Sequence, residues 1–146
     1  MVGAGVARVK FAWVPVLVVV AAACFWRSYG RLAATHADVL AEMARKGADL
    51  VAAGRFTAES LPELTYPLER AQAFARRAAA ESRAERPASL RAFDALLERY
   101  RQFLDALDRT RREQSGEAAR AALAAPLAAV VSAADGVRAA LRSEGR

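Results

Sequence analysis

The chain has 146 residues, a formal net charge of +6, one cysteine and a hydrophobic content of 55%. Alanine, a small residue and the best helix former, occurs 38 times. This composition favours long helices that pack closely around a thin core. One cysteine excludes an internal disulfide framework, and no segment alternates apolar and polar residues as a half-buried β-strand does.

The start of the chain predicts a membrane segment. Arg8 and Lys10 precede an uncharged run from Phe11 to Trp26. Cations before a short apolar run are typical of a bacterial export signal, and they favour an N-terminus in the cytoplasm and a body outside it. We therefore assign residues 1–27 to a signal or anchor segment and residues 28–146 to one helical domain.

The residues before the cysteine suggest a lipid attachment site. Val20 and three alanines stand directly before Cys24. This pattern resembles the lipobox of bacterial lipoproteins, and the resemblance implies that Cys24 is lipidated and becomes the mature N-terminus. Ala21 departs from the pattern, in which leucine is commonest at that place.

Two alternatives to a lipoprotein remain open. The first is an uncleaved anchor from Lys10 to Arg27, roughly 25 Å of helix at 1.5 Å per residue. Trp13, Phe25 and Trp26 would then form an aromatic belt near the membrane surfaces. The second is cleavage after Ala23, which would release a soluble protein.

Four amphipathic helices are predicted in the body, because apolar residues recur at alternating steps of three and four. Helix 1 covers about 29–53 and ends before Gly54, which tolerates the left-handed conformation of a helix stop. A loop follows over 55–65. Helix 2 covers about 66–86, with Pro67 in its first turn, and ends before Pro87.

Helix 3, at about 88–114, has the strongest periodicity in the chain. Leu90, Phe93, Leu97, Tyr100, Leu104 and Leu107 step by three and four, as in a coiled coil. Helix 4 covers about 117–142. Helices of this length with mostly short links predict an all-α fold, an antiparallel four-helix up-down-up-down bundle after the membrane segment. A longer helical hairpin that dimerises through helix 3 is the alternative.

Two surfaces of this bundle are candidate contacts. The up-down order returns helix 4 to the end where helix 1 leaves the membrane, so basic residues gather there for contact with lipid headgroups. They are Arg27, Arg31, Arg138, Arg142 and Arg146. Helix 3 also has more large apolar side chains than its alanine-rich neighbours can easily cover, which predicts either a partner strip or the bundle core. These side chains are Phe93, Leu96, Tyr100, Phe103 and Leu107. The loop with Phe56, Leu61, Leu64 and Tyr66 is a further candidate surface.

The residues for catalysis or cofactor binding are lacking in the sequence. His36 is the only histidine, so zinc and di-iron sites have too few ligands. Met43 lies seven residues further on the same side of the same helix, so His36 and Met43 cannot bind opposite faces of one haem. Acids on helix 3 stand four residues before arginines, as Asp105 does before Arg109 and Asp108 before Arg112, and predict surface ion pairs. We therefore expect no enzyme, no cofactor and no metal. Glutamates interleave with the arginine doublets, so we expect no nucleic-acid partner.

The sequence thus favours a membrane-tethered, extracytoplasmic helical bundle that acts through protein contacts, as an envelope accessory or assembly factor. A ligand-sensing periplasmic bundle that works through a partner is the alternative, and an Arg-rich nucleic-acid binder is the weaker one. The partner would be another envelope protein or, in a homodimer, a second copy of the chain.

Overall fold

The computed structural model describes the backbone of residues 3–82 and 85–146, and the side chains of residues 13–82 and 85–146. The described residues form four α-helices with short connections and no β-strand, which confirms the all-α prediction. The helices are α1 (Gly3–Ala52), α2 (Ser60–Glu81), α3 (Ala88–Glu113) and α4 (Gly116–Ser143). The chain divides into two compact units, Met1–Gly30 and Arg31–Arg146.

Helix α1 is longer than the sequence predicts. The helix expected at 29–53 is the second half of α1, which begins at Gly3 and continues to Ala52. No proline or left-handed glycine lies around residue 29, so the sequence has no helix stop there. The predicted stop is confirmed: Gly54 has φ +67°, and its N–H donates to Val51 O at 3.1 Å. Arg55 N donates to Leu50 O at 2.9 Å, which completes a Schellman motif.

Helix α2 begins six residues before its predicted start and ends five before its predicted end. Pro62 lies in the first turn, where no backbone donor is needed, so the helix starts at Ser60 and includes most of the predicted loop. Pro67 therefore lies inside the helix and leaves only the Glu63 carbonyl without its usual donor. At the other end, Ser82 is extended, and its hydroxyl donates to Ala78 O at 3.1 Å. The predicted continuation through 83–84 lies outside the described residues.

Helices α3 and α4 lie within a residue of their predicted bounds. The stripe of α3 is confirmed as an interior face, with Leu104 half-buried and the rest of the stripe buried. In α4, the buried residues Leu123, Val130, Val137 and Leu141 follow the same spacing. Both helices thus take their orientation from the burial of one apolar face.

Contacts of α2 with α1 and with α3 give the relative chain directions of these helices. His36 of α1 packs against Phe74, and Lys46 Nζ lies 3.0 Å from Glu63 Oε2. On the other side of α2, Phe74 packs against Phe93, and Tyr100 Oη donates to Leu64 O at 2.7 Å. As the residue numbers on α1 or α3 increase, the residue numbers of their partners on α2 decrease. Helix α2 is therefore antiparallel to both α1 and α3.

Helix α4 closes the order of the bundle. Its C-terminal Glu144 accepts from Ser89 N at 2.8 Å and from Ser89 Oγ at 2.7 Å, at the start of α3. Arg138 pairs with Asp38, and Arg120 Nη1 lies 3.4 Å from Asp49 Oδ1, so α4 also runs antiparallel to α1. These contacts fit an up-down-up-down order within Arg31–Arg146.

Gly47 marks a close approach of α1 to the core. A Cβ atom at this position would lie 2.9 Å from the Cδ1 atoms of both Leu64 and Leu107. We expect Gly47→Leu to lower the free energy of unfolding by about 1–3 kcal/mol, because the added side chain overpacks the core. The matched control is Gly136→Leu in α4, where a Cβ meets nothing within 4 Å.

The control should raise the free energy of unfolding by about 0.5–1 kcal/mol through helix propensity alone. Urea denaturation followed by circular dichroism measures both changes. Equal effects of the two substitutions would contradict the close approach at Gly47.

Candidate functional site

The first unit carries a helix whose surface is apolar on every side. Seven large side chains between positions 13 and 20 are 46–64% exposed. They are Trp13, Val14, Val16, Leu17, Val18, Val19 and Val20. Consecutive residues cover all sides of a helix, so this surface is not one face of an amphipathic helix. The stretch from Trp13 belongs to a helix long and apolar enough to cross a membrane.

The C-terminal side of this stretch has an exposed cysteine and an aromatic cluster. Cys24 is exposed, so its thiol is accessible for lipidation, which remains a prediction. The Trp26 ring lies 5.3 Å from Phe25 and 4.9 Å from Tyr29, centroid to centroid. Trp13 and Trp26 are separated by 13 residues, or about 20 Å of helix. Of the three residues predicted to form an aromatic belt, Trp13 is exposed, Trp26 is half-buried and Phe25 is buried.

Among the described residues, α4 is the second helix that is long and apolar enough to cross a membrane. In the second unit, however, it buries Leu123, Val130 and Val137 and forms ion pairs with α1 through Arg120 and Arg138. Its apolar character comes largely from alanine, which serves close packing in a bundle. The described contacts of α4 are those of a bundle helix.

The five arginines proposed for membrane contact differ in their surroundings. Arg138 pairs with Asp38 and Asp135, and Arg146 Nε lies 3.5 Å from Glu144 Oε2. These carboxylates offset the positive charges of Arg138 and Arg146, two of the five arginines. Arg31 and Arg142 are exposed, and within the described residues no ion pair is found for either. Arg27, in the first unit, is exposed as well.

The predicted partner strip on α3 is wrong, and its alternative, the bundle core, is correct. All five side chains have 0% exposure. They are Phe93, Leu96, Tyr100, Phe103 and Leu107. Alanines at the buried positions of the other helices, among them Ala37, Ala44 and Ala78, let those helices approach closely enough to cover α3.

In the predicted loop surface of Phe56, Leu61, Leu64 and Tyr66, some side chains lie in the core and others are exposed. Leu64 is buried, and Phe56 is half-buried under Arg111, whose guanidinium carbon lies 5.5 Å from the ring centroid. Leu61 and Tyr66 are 36% and 58% exposed. These two side chains therefore remain available to a partner.

The titratable groups of the interior serve packing. His36 is half-buried between Phe74 and Phe93, with centroid distances of 5.0 and 6.3 Å. Burial lowers the pKa of His36, and the nearby Arg70 lowers it further. Burial raises the pKa of Tyr100, whose hydroxyl is bonded to Leu64 O. Among the described residues, no group of three His, Cys, Asp or Glu side chains could hold a metal ion.

The lowered pKa of His36 predicts a pH-dependent stability. As the pH falls, the unfolded chain takes up the proton before the folded chain does, which favours unfolding. We expect the free energy of unfolding to be unaffected by His36 above its ordinary pKa of 6.5 and to decrease below it. Urea unfolding of wild type and His36→Gln at several pH values measures this, since His36 is the only histidine. A difference between the two proteins that does not change with pH would contradict the prediction.

Asp108 and Glu98 of α3 are paired with arginines. Asp108 Oδ2 lies 2.8 Å from Arg112 Nη2, which confirms one predicted pair, and Asp108 Oδ1 lies 2.7 Å from Arg111 Nη2. The other predicted pair, Asp105 with Arg109, does not form within the described part of the chain. Glu98 Oε2 lies 3.3 Å from Arg101 Nη1. These exposed pairs suit a solvated surface and contribute little individually.

The structure also contains a cluster of arginines that the sequence does not predict. Arg76 of α2, Arg86 before α3 and Arg101 of α3 line a groove between the two helices, together with Asp94 and Gln72. These residues form no motif, because they lie far apart along the chain and meet only through the antiparallel packing of α2 and α3.

The fold and its apolar N-terminal helix therefore define an all-helical protein with a segment suited to a membrane. No protein-family model matches this chain, and neither a curated protein nor a solved structure matches it.

Proposed function

We propose that this chain is a membrane-anchored helical-bundle protein that acts through contacts with another envelope protein and not as an enzyme. The observation that carries the proposal is the exposed apolar surface of α1 from Trp13 to Val20. In water, each exposed Å² of such a surface costs about 25 cal/mol relative to burial. In a bilayer the helix satisfies its own backbone hydrogen bonds, and the same surface is favourable.

The continuous helix favours an uncleaved anchor over a cleaved signal. Residues 20–27 lie within α1, with no extended segment around Cys24. Lys10 and Arg27 flank the apolar run in sequence, and long cationic side chains reach toward the headgroups when a span is short. A lipid on Cys24 is the second candidate, supported by the exposure of this residue.

Intact mass of the protein purified from membranes distinguishes these two forms. An anchor gives the full-length mass for wild type and Cys24→Ala alike. Loss of residues 1–23 with an added lipid mass, abolished by Cys24→Ala, would replace the anchor by a lipoprotein. Recovery of the chain in the soluble fraction with residues 1–23 removed would contradict membrane attachment in both forms.

We place the bundle outside the cytoplasm, on the strength of the cations before the apolar run. Ala128 is exposed on α4 and provides a reporter position. In a Cys24→Ala background, Ala128→Cys should react with a membrane-impermeant maleimide in spheroplasts. Reaction only after the cells are broken would place the bundle in the cytoplasm.

The surface that we propose for a protein partner includes Tyr66. This side chain is 58% exposed, and Arg70 donates to its hydroxyl at 3.0 Å while its guanidinium carbon lies 5.8 Å from the ring centroid. Tyrosine and arginine are enriched among the residues that dominate binding energy at protein interfaces. A photo-crosslinking residue at position 66 should capture one envelope protein reproducibly, whereas the same residue in place of Arg99, on α3, should not. Equal capture at both positions would contradict a partner surface at Tyr66.

A further inference from the structure

The groove between α2 and α3 brings three guanidinium groups together. Arg76, Arg86 and Arg101 line it, and its volume is about 180 Å³. Alanine and leucine side chains form the apolar part of the lining. Cations beside apolar atoms interact more strongly with an anion than cations fully surrounded by water.

The carboxylates at this groove do not offset all of its positive charge. Arg86 Nη1 lies 3.2 Å from Asp94 Oδ2, and Arg101 Nη1 lies 3.3 Å from Glu98 Oε2. Arg76 is exposed, and no carboxylate partner is found for it within residues 13–82 and 85–146. Asp94 lines the groove and repels an anion at its own end, whereas Glu98 does not line it. The attraction is therefore strongest around Arg76 and Arg101.

A neighbouring amide orients one of these arginines. With its amide oxygen turned toward α3, Gln72 accepts from Arg101 Nε at 3.1 Å and from Nη2 at 2.8 Å. A guanidinium has five donors in a planar fork, so Arg101 retains donors beyond those used by Gln72 and Glu98. An arginine held in place loses less conformational freedom when it binds a ligand.

We propose that this groove binds a phosphate group, through Arg76 and Arg101 as direct donors with Arg86 adding positive charge. Arginine forks match the oxygen geometry of phosphate. The phosphate group can belong to a free phosphate ion or to the headgroup of an anionic lipid. The proposal does not depend on the partner surface at Tyr66 or on the orientation in the membrane.

Calorimetric titration of the full-length protein in a nonionic detergent tests the proposal. The probes are inorganic phosphate and short-chain phosphatidylglycerol, each added at constant ionic strength. Arg76→Gln and Arg101→Gln should each weaken binding at least tenfold, or about 1.4 kcal/mol. Arg99→Gln is the matched control, because Arg99 lies on the same helix as Arg101, is exposed and bonds to Gln102 outside the groove.

Each outcome decides the proposal. Tenfold losses in the two groove variants, with Arg99→Gln unchanged, support it; tighter binding of phosphate than of the lipid then identifies a free ion, and the reverse identifies a headgroup. Absence of saturable binding to both probes would overturn it. Equal weakening by Arg99→Gln would also overturn it, since it would indicate a response to net charge alone. Circular dichroism of the variants shows that the helices are retained.

Discussion

Phe93→Ala is expected to lower the free energy of unfolding of the bundle by about 3–5 kcal/mol. Phe93 has 0% exposure and lies on α3, the helix that contributes more large core side chains than any other. Its ring packs edge to face against Phe74 at 5.4 Å, and the His36 ring lies 6.3 Å away. Truncation removes these contacts and leaves a cavity that the helices can fill only in part.

Urea denaturation followed by circular dichroism measures this loss. Tyr66→Ala is the control, because it also removes an aromatic ring but from a side chain that is 58% exposed. We expect this control to cost less than about 1 kcal/mol, mainly through the contact with Arg70. Similar losses for the two substitutions would contradict the burial of Phe93.

Leu17→Arg is expected to disfavour membrane insertion by about 3 kcal/mol, the difference between leucine and arginine near the centre of a spanning helix. Leu17 is 64% exposed in the apolar stretch of the first unit. The charge must then enter hydrocarbon or pull the helix toward one surface. The measurement is the fraction of protein that stays with the membrane after alkaline carbonate extraction.

A leucine in the second unit provides the control for this experiment. Leu32 is 38% exposed on the same helix but beyond the apolar run. Leu32→Arg should leave the membrane-bound fraction unchanged, because its side chain remains in water. Equal retention of Leu17→Arg and wild type would contradict an anchor at Trp13–Val20.

Regular periodicity and strong stop signals made most of the fold predictable. The repeat on α3 identified its buried face, and Gly54 identified the end of α1. The start of α2 was not predictable from the prolines alone, because Pro62 and Pro67 each suit a first turn. The burial of Leu64 on the core face favours the earlier start.

The sites were less predictable than the helices, because an amphipathic pattern shows that a face is apolar but not what covers it. Phe103 and Leu107 fit a partner strip and a core equally well by sequence. The choice depends on how closely α1 approaches, and Gly47 permits a contact that the side-chain pattern does not reveal. The arginine groove depends on the register between α2 and α3, which no local sequence pattern specifies.

The alanines of this protein fall into two groups with different tolerance to change. Ala37, Ala44 and Ala78 have 0% exposure, so any larger residue there would push two helices apart. Ala121 and Ala128 of α4 are exposed, and larger helix-forming residues should fit there without displacing a neighbour. Among natural variants, the buried positions should remain alanine or glycine, whereas the exposed positions should accept many different residues. Only the buried alanines are therefore under a steric constraint, although the exposed alanines look the same in the sequence.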